Sequence, residues 1–196
     1  MAETLVRMAI CFLAGSIPFA VICLAGTGVD ITKVGSGNPG FNNVLRVSKG
    51  RAILTLIGDV GKGILAVWLL ARPGDGPYTG WLYGGAAVLG HCYSPFLKFN
   101  GGKGIATSAG VMLFLYPIWA AASGLFFLVL RLLGARLQWR EAGAVASLSS
   151  WALFSLILLF AAGWQHAALA AVMTLFVTWR HKKNLQSLRA PAPSIP

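Results

Sequence analysis

Acidic side chains are scarce in this sequence: of 196 residues only five are Asp or Glu. No Asp-rich run is present, which excludes a metal-dependent phosphotransferase of the CDP-alcohol type, and a carboxylate general base is a poor candidate for any chemistry. No His-x4-Asp pair occurs, so the pattern of soluble glycerolipid acyltransferases is absent, and no Gly-x-Ser-x-Gly elbow marks a serine hydrolase. The three cysteines, Cys11, Cys23 and Cys92, form no CxxC and no Cys/His cluster. Neither a disulfide framework nor a zinc site is expected, and no cofactor is called for.

Charge of either sign is also low, at 11% of residues against 57% hydrophobic. Soluble domains carry about 25% charged residues. So few charges cannot cover so much apolar surface in water, and lipid must be the solvent for much of the chain.

Apolar runs between breakers predict seven transmembrane helices, at about 5–26, 52–71, 79–97, 104–115, 117–133, 142–161 and 165–179. The fourth and fifth abut at Tyr116-Pro117, where a re-entrant pair is the alternative reading. The first begins like a signal peptide, with Arg7 before an apolar run, but the run continues to about Ala25 and reads as a span.

The net charge of +11 follows the same plan. Lys33, Arg46, Lys49 and Arg51 fall in the first loop, Lys98 and Lys103 in the third, Arg131, Arg136 and Arg140 in the fifth, and Arg180, Lys182, Lys183 and Arg189 in the tail. Only Arg7 and Arg72 fall on the other side. The positive-inside rule then places the C-terminus in the cytoplasm and the N-terminus outside. These cations lie between spans and form no continuous stripe, which argues against nucleic acid as a partner. The fold class expected is an all-α polytopic membrane protein. It has a single domain over 1–189, a disordered Pro-rich tail over 190–196, and no internal repeat.

Two glycine-rich segments lie on the basic side. The first runs Gly35-Ser36-Gly37-Asn38-Pro39-Gly40-Phe41-Asn42-Asn43-Val44-Leu45-Arg46. It contains a literal GxGxxG, but follows a membrane span rather than a strand, so the dinucleotide reading fails on context. The second is Asn100-Gly101-Gly102-Lys103-Gly104-Ile105-Ala106-Thr107. It lacks the Walker A spacing. Both segments suit anions. Glycine lets backbone N–H groups approach closely, Ser36, Asn38 and Thr107 add polar side chains, and Arg46 and Lys103 supply charge. The second also opens a helix, whose unpaired N–H groups point at the loop. The plain alternative is a pair of tight turns, and two cation-bearing turns on one side weigh against it.

Other polar positions fall within or beside spans. Asp59 and Lys62 are spaced i, i+3 in the second helix and are expected to form a buried pair. His91 sits at mid-span. His181 and Asn184 share a helix face at the end of the last span. His166 lies on the outer side and is discounted.

Taken together, Gly35-Ser36-Gly37-Asn38…Gly40…Asn43…Arg46, Asp59…Lys62-Gly63, Gly90-His91, Gly101-Gly102-Lys103-Gly104-Ile105-Ala106-Thr107 and Arg180-His181…Asn184 resemble the motifs of the bacterial acyl-phosphate-dependent glycerol-3-phosphate acyltransferases, the PlsY family. The resemblance covers nearly the whole chain. It implies seven transmembrane helices and transfer of an acyl chain from acyl phosphate to the 1-hydroxyl of glycerol 3-phosphate. The products are lysophosphatidic acid and phosphate, made at the cytoplasmic side of a bacterial inner membrane; separately, a monomer is expected.

The resemblance also implies roles. Ser36, Arg46 and Lys103 would be catalytic. Gly37, Asn38, Gly40, Asn43, Gly101, Gly102, Gly104, Thr107, His181 and Asn184 would bind substrate phosphate. Asp59, Lys62 and His91 would support them. With carboxylates so few, the phosphate of the acyl donor is expected to take the proton. The chain departs from the family at Asn42, where a Thr is usual, at Ala142, where a phosphate-binding Ser is expected or displaced to Ser147, and at Lys183, where an acid is usual. Two alternatives from other classes are a transporter or binder of a phosphorylated solute and a structural membrane protein. The first lacks repeat symmetry, and the second leaves both glycine loops without a purpose.

Overall fold

The computed structural model describes residues 1–72, 74–76 and 78–190. The described residues form ten α-helices, one 3-10 turn and no strand. Helices α1 (Ala2–Ser16), α2 (Phe19–Leu24), α3 (Phe41–Val44), α4 (Lys49–Leu70), α5 (Thr79–Cys92) and α6 (Ile105–Leu115) belong to one compact unit, Met1–Pro117. The second unit begins at Ile118 and holds α7 (Pro117–Arg136, entered at its second residue), α8 (Ala142–Ala161), α9 (Trp164–Arg180) and α10 (Lys182–Arg189). The expected disordered tail falls outside the described residues except for Ala190.

Among the described residues, four segments are long and apolar enough to cross a membrane: Ala2–Leu24, Lys49–Leu70, Pro117–Arg136 and Ala142–Ala161. The other three expected spans are shorter, at 14 residues for α5, 11 for α6 and 17 for α9.

Two expected spans need correction. The first is not continuous, because Pro18 has no N–H and cannot extend the helix that ends at Ser16. The carbonyls left open by this break are satisfied from elsewhere in the unit. Ser94 Oγ donates to the Ser16 carbonyl at 2.6 Å, and Lys62 Nζ donates to the Ile17 carbonyl at 2.8 Å. In lipid such groups have no water to turn to. The third expected span stops at Cys92 rather than at 97, because Pro95 directs the chain into the 3-10 turn Pro95–Leu97.

Small residues set the crossings. An added Cβ at Gly90 of α5 would lie 2.0 Å from the Phe12 carbonyl of α1, and one at Gly110 of α6 would lie 2.0 Å from the Val60 carbonyl of α4. Backbones that approach this closely gain dispersion contact, which holds helices together where lipid removes the hydrophobic drive.

At the end of α1 remote from Pro18, the buried Arg7 guanidinium reaches the Leu70 carbonyl, the Asp75 carboxylate and Tyr83 Oη, each at 3.3 Å, and Glu3 at 2.5 Å. It ties α1 to the end of α4 and to α5.

Candidate phosphate-binding site

The first glycine loop rests on a small core of Ala20, Leu24, Ile31, Val44 and Ala52, with Phe41 and Leu45 packed against it. This core joins α2, α3 and the start of α4, which Ser48 caps through the Arg51 amide. The Arg51 guanidinium donates to the Cys23 carbonyl and ties α2 to α4. Just before the loop, Asp30 accepts hydrogen bonds from the Thr32 hydroxyl and amide and lies 3.3 Å from Lys33 Nζ. The Thr32 hydroxyl above all holds this carboxyl below its usual range.

Asn43 builds the loop from within. Its side chain is 1% exposed. Its Oδ1 accepts from the Ser36 amide at 3.2 Å, and its Nδ2 donates to the Ile31 and Val34 carbonyls at 3.1 and 2.8 Å. Gly35 and Gly37 have φ of +55° and +67°, which glycine adopts without strain. Ser36 is exposed, Gly37 and Asn38 are half-buried, and Gly40 is buried at the start of α3. Ser36 Oγ accepts from the Asn38 amide at 3.4 Å. The exposed Arg46 guanidinium folds back over the loop, 3.1 Å from where a Cβ on Gly35 would stand. The geometry therefore assigns Asn43 to shaping the loop, and leaves Ser36, Asn38 and Arg46 at its surface.

The second glycine loop closes a neck between the end of α5 and the start of α6. The Gly101 amide donates to the Cys92 carbonyl and the Gly102 amide to the His91 carbonyl, both at 3.1 Å. An added Cβ at Gly102 would stand 2.1 Å from His91 Nε2. Lys103 follows, half-buried, and Gly104 with φ of +90° turns the chain into α6. Thr107 is fully buried where α6 crosses α4, its carbonyl 2.2 Å from a Cβ built on Gly63. The Thr107 hydroxyl finds no hydrogen-bond partner among the described residues.

Beneath this loop lies the expected ion pair. Lys62 Nζ is 2.8 Å from Asp59 Oδ1, and His91 Nδ1 is 3.5 Å from the same oxygen. The three residues are 5%, 2% and 7% exposed. Such burial is tolerated when opposite charges pair and hydrogen-bond.

An apolar groove of about 450 Å³ runs along the same unit between α1, α2 and α4. Ile10, Ala14, Phe19, Gly58, Leu65 and Leu69 are among its walls, and among the described residues Lys62 is the one cation that lines it.

His181 and Asn184 lie in the second unit. His181 is buried at the junction of α9 and α10, its Nδ1 2.7 Å from the Val177 carbonyl. Asn184 Nδ2 donates to Glu141 at 2.5 Å. Lys183 is exposed, and Ala142 is buried as the first residue of α8. The Ser147 hydroxyl donates to the Gly143 carbonyl of its own helix at 2.7 Å. Sequence reasoning missed Glu141 as the partner of Asn184. The two residues are 43 positions apart and Glu141 makes no side-chain cap to α8, so no local pattern signalled the contact.

The family described as Glycerol-3-phosphate acyltransferase matches residues 5–191. A protein named glycerol-3-phosphate acyltransferase from Burkholderia pseudomallei (strain K96243) is 38% identical over 182 residues, covering 91% of this chain and 88% of that one. Its namesake from Aromatoleum aromaticum is 40% identical over 179 residues, covering 90% and 88%. Among solved structures, PlsY (YgiH), an integral membrane glycerol 3-phosphate acyltransferase, is similar in its glycerol 3-phosphate form. The TM-score is 0.82 at 30% identity, over 95% of this chain and 92% of that one. Its lysophosphatidic acid form matches with a TM-score of 0.81. Long apolar helices and likeness to an integral membrane enzyme make this a multi-pass membrane protein, and the chain belongs to the glycerol-3-phosphate acyltransferase family.

Proposed function

We propose that the chain transfers an acyl group from acyl phosphate to the 1-hydroxyl of glycerol 3-phosphate, at the cytoplasmic face of a bacterial inner membrane. The observation that carries this reading is the pair of cation-bearing glycine loops built within one unit, beside an apolar groove. Two phosphorylated substrates call for two anion-binding loops, and a fatty acyl chain calls for an apolar channel. The chain is proposed to act as a monomer with seven spans, its N-terminus outside and its C-terminus cytoplasmic.

In the proposed step the glycerol 1-hydroxyl oxygen bonds to the acyl carbonyl carbon, and the bond from that carbon to the phosphate oxygen breaks. The hydroxyl proton passes to the departing phosphate. The state of the carboxylates supports this proton route, since each of the five is engaged: Glu3 with Arg7 and Arg72, Asp75 with Arg7, Asp30 with Lys33, Asp59 with Lys62, and Glu141 with Asn184. Arg46, Lys103 and loop N–H groups offset the negative charge that develops on carbonyl and phosphate oxygens. Ser36 and Asn38 orient a phosphate. His181 and Asn184 bind phosphate on the strength of their match to the last family motif. The acyl chain occupies the groove along α1 and α4.

The test is phosphate release from palmitoyl phosphate by the purified protein, with and without glycerol 3-phosphate. Release is expected to require glycerol 3-phosphate and to fall at least a hundredfold in Lys103→Ala, about the loss seen when a charge-stabilising donor is removed. No release from the wild-type chain, with glycerol 3-phosphate still bound, would overturn the reading in favour of a binder.

A further inference from the structure

His91 stands on the last turn of α5, 32 residues from its carboxylate partner in α4. Its ring does two things at once. Nδ1 faces Asp59 at 3.5 Å, and Nε2 fills the space in which a side chain at position 102 would stand. Its own carbonyl accepts the Gly102 amide. The neck of the Gly101–Gly102 turn is thus touched by His91 through both main chain and side chain.

Asp59 is held in turn. Lys62 pairs with it from one helical turn further on and also donates to the Ile17 carbonyl. Ser94, three residues past His91, donates to the Ser16 carbonyl. A break in α1, a carboxylate in α4 and the start of the loop therefore share one hydrogen-bonded knot. Lys103 is the next residue after the pinned glycine, so the His91 contact lies one residue from the base of the Lys103 side chain. Asp59 lies ten residues into α4, about 15 Å along it. A polar cluster placed that deep needs every member satisfied.

We infer that Asp59, acting through His91, positions the Gly101–Lys103 turn and so aims the Lys103 ammonium. His91 and Asp59 are positioning residues and touch no substrate. The activity readout rests on the acyltransferase reading, whereas the order of the turn does not.

Two measurements test this, on the full-length protein in detergent. In His91→Asn the short amide keeps a donor where Nδ1 stood and withdraws the far half of the ring. Hydrogen exchange of the segment around Gly101–Gly104 is expected to quicken at least tenfold, with α4 peptides unchanged. Glycerol 3-phosphate-dependent kcat/KM is expected to fall at least tenfold. Lys103→Ala is then expected to cost far less in the His91→Asn background than in the wild type, because a mis-aimed ammonium has less to lose.

A structural role alone would lower the amount of folded protein and leave the Lys103→Ala factor unchanged. Gly102→Ala is expected to lower stability in the wild type, where its Cβ meets the His91 ring, and to lower it less beside His91→Asn. Unchanged exchange in the turn overturns the inference whatever the activity. Strictly additive losses at 91 and 103 overturn it as well. If His91→Asn does not fold, the neutral pair Asp59→Asn with Lys62→Met, which removes the carboxylate and leaves no lone buried charge, is read by the same two measurements. A wild-type chain inactive on palmitoyl phosphate sinks the acyltransferase reading, and the exchange data still decide this one.

Discussion

Lys62 donates to the carbonyl of Ile17 across 2.8 Å, at the point where Pro18 interrupts the first span. The same ammonium neutralises Asp59 at 2.8 Å. One cation therefore serves a broken helix and a buried carboxylate. Lys62→Met removes both contacts and leaves Asp59 with His91 alone. We expect a loss of about 3–5 kcal/mol, the cost of stranding one member of a buried pair. Adding Asp59→Asn should recover at least half of it. Unfolding followed by SDS titration measures both, and a Lys62→Met protein as stable as wild type would refute this account of the pair.

Asn43 makes three hydrogen bonds inside the first glycine loop. Asn43→Asp keeps the acceptor for Ser36 but turns two donations into repulsions with the Ile31 and Val34 carbonyls. The expected cost is about 2 kcal/mol or more for the unsatisfied buried groups, with loss of acyltransfer. Asn43→Ser, which keeps a small donor, should lose less. Parallel stability and phosphate-release measurements separate the two, and an Asn43→Asp enzyme of wild-type activity would contradict the role of the loop.

Gly90 and Gly124 should respond in opposite ways to the same methyl. At Gly90 an added Cβ meets the Phe12 carbonyl at 2.0 Å, while at Gly124 it meets nothing within 4 Å. Gly90→Ala should cost about 1–3 kcal/mol by forcing α1 and α5 apart. Gly124→Ala should be neutral or slightly stabilising. Equal effects would mean that the α1–α5 crossing does not depend on close approach.

Arg46 should not be replaceable by lysine. Its planar fork can bind two phosphate oxygens at once, whereas an ammonium is a point charge on a flexible stem. Arg46→Lys is expected to lose about tenfold or more in kcat/KM with unfolding unchanged. Retention of wild-type kinetics would show that the planar fork of Arg46 is not used.

The groove along α1 and α4 predicts a chain-length effect. Leu65→Trp should fill part of its 450 Å³ volume. Activity on palmitoyl phosphate should then fall more than activity on an eight-carbon acyl phosphate. A uniform change across chain lengths would place the acyl chain elsewhere.

Several of these features are visible in the sequence because they are local. The Asp59–Lys62 pair follows from i, i+3 spacing inside an apolar run, since neither charge could stay in lipid alone. The proposal that 35–46 and 100–107 bind anions rests on glycine, hydroxyl and cation in short order. The 142–161 span matches α8 because nothing within it breaks the apolar run. The break at Ser16–Pro18 is less legible. Hydropathy runs straight through a proline, and only partners 45 and 78 residues away in sequence make the interruption tolerable.

The sequence by itself determined that this is a lipid-embedded helical protein with two basic glycine loops, because solvent preference and turn chemistry depend on residues and their near neighbours. Only the tertiary structure decided that Asn43 faces inward, that Glu141 holds Asn184, and that His91 lies under Gly102. Each of these depends on which backbone comes within hydrogen-bonding reach of which side chain, and helix packing sets that distance.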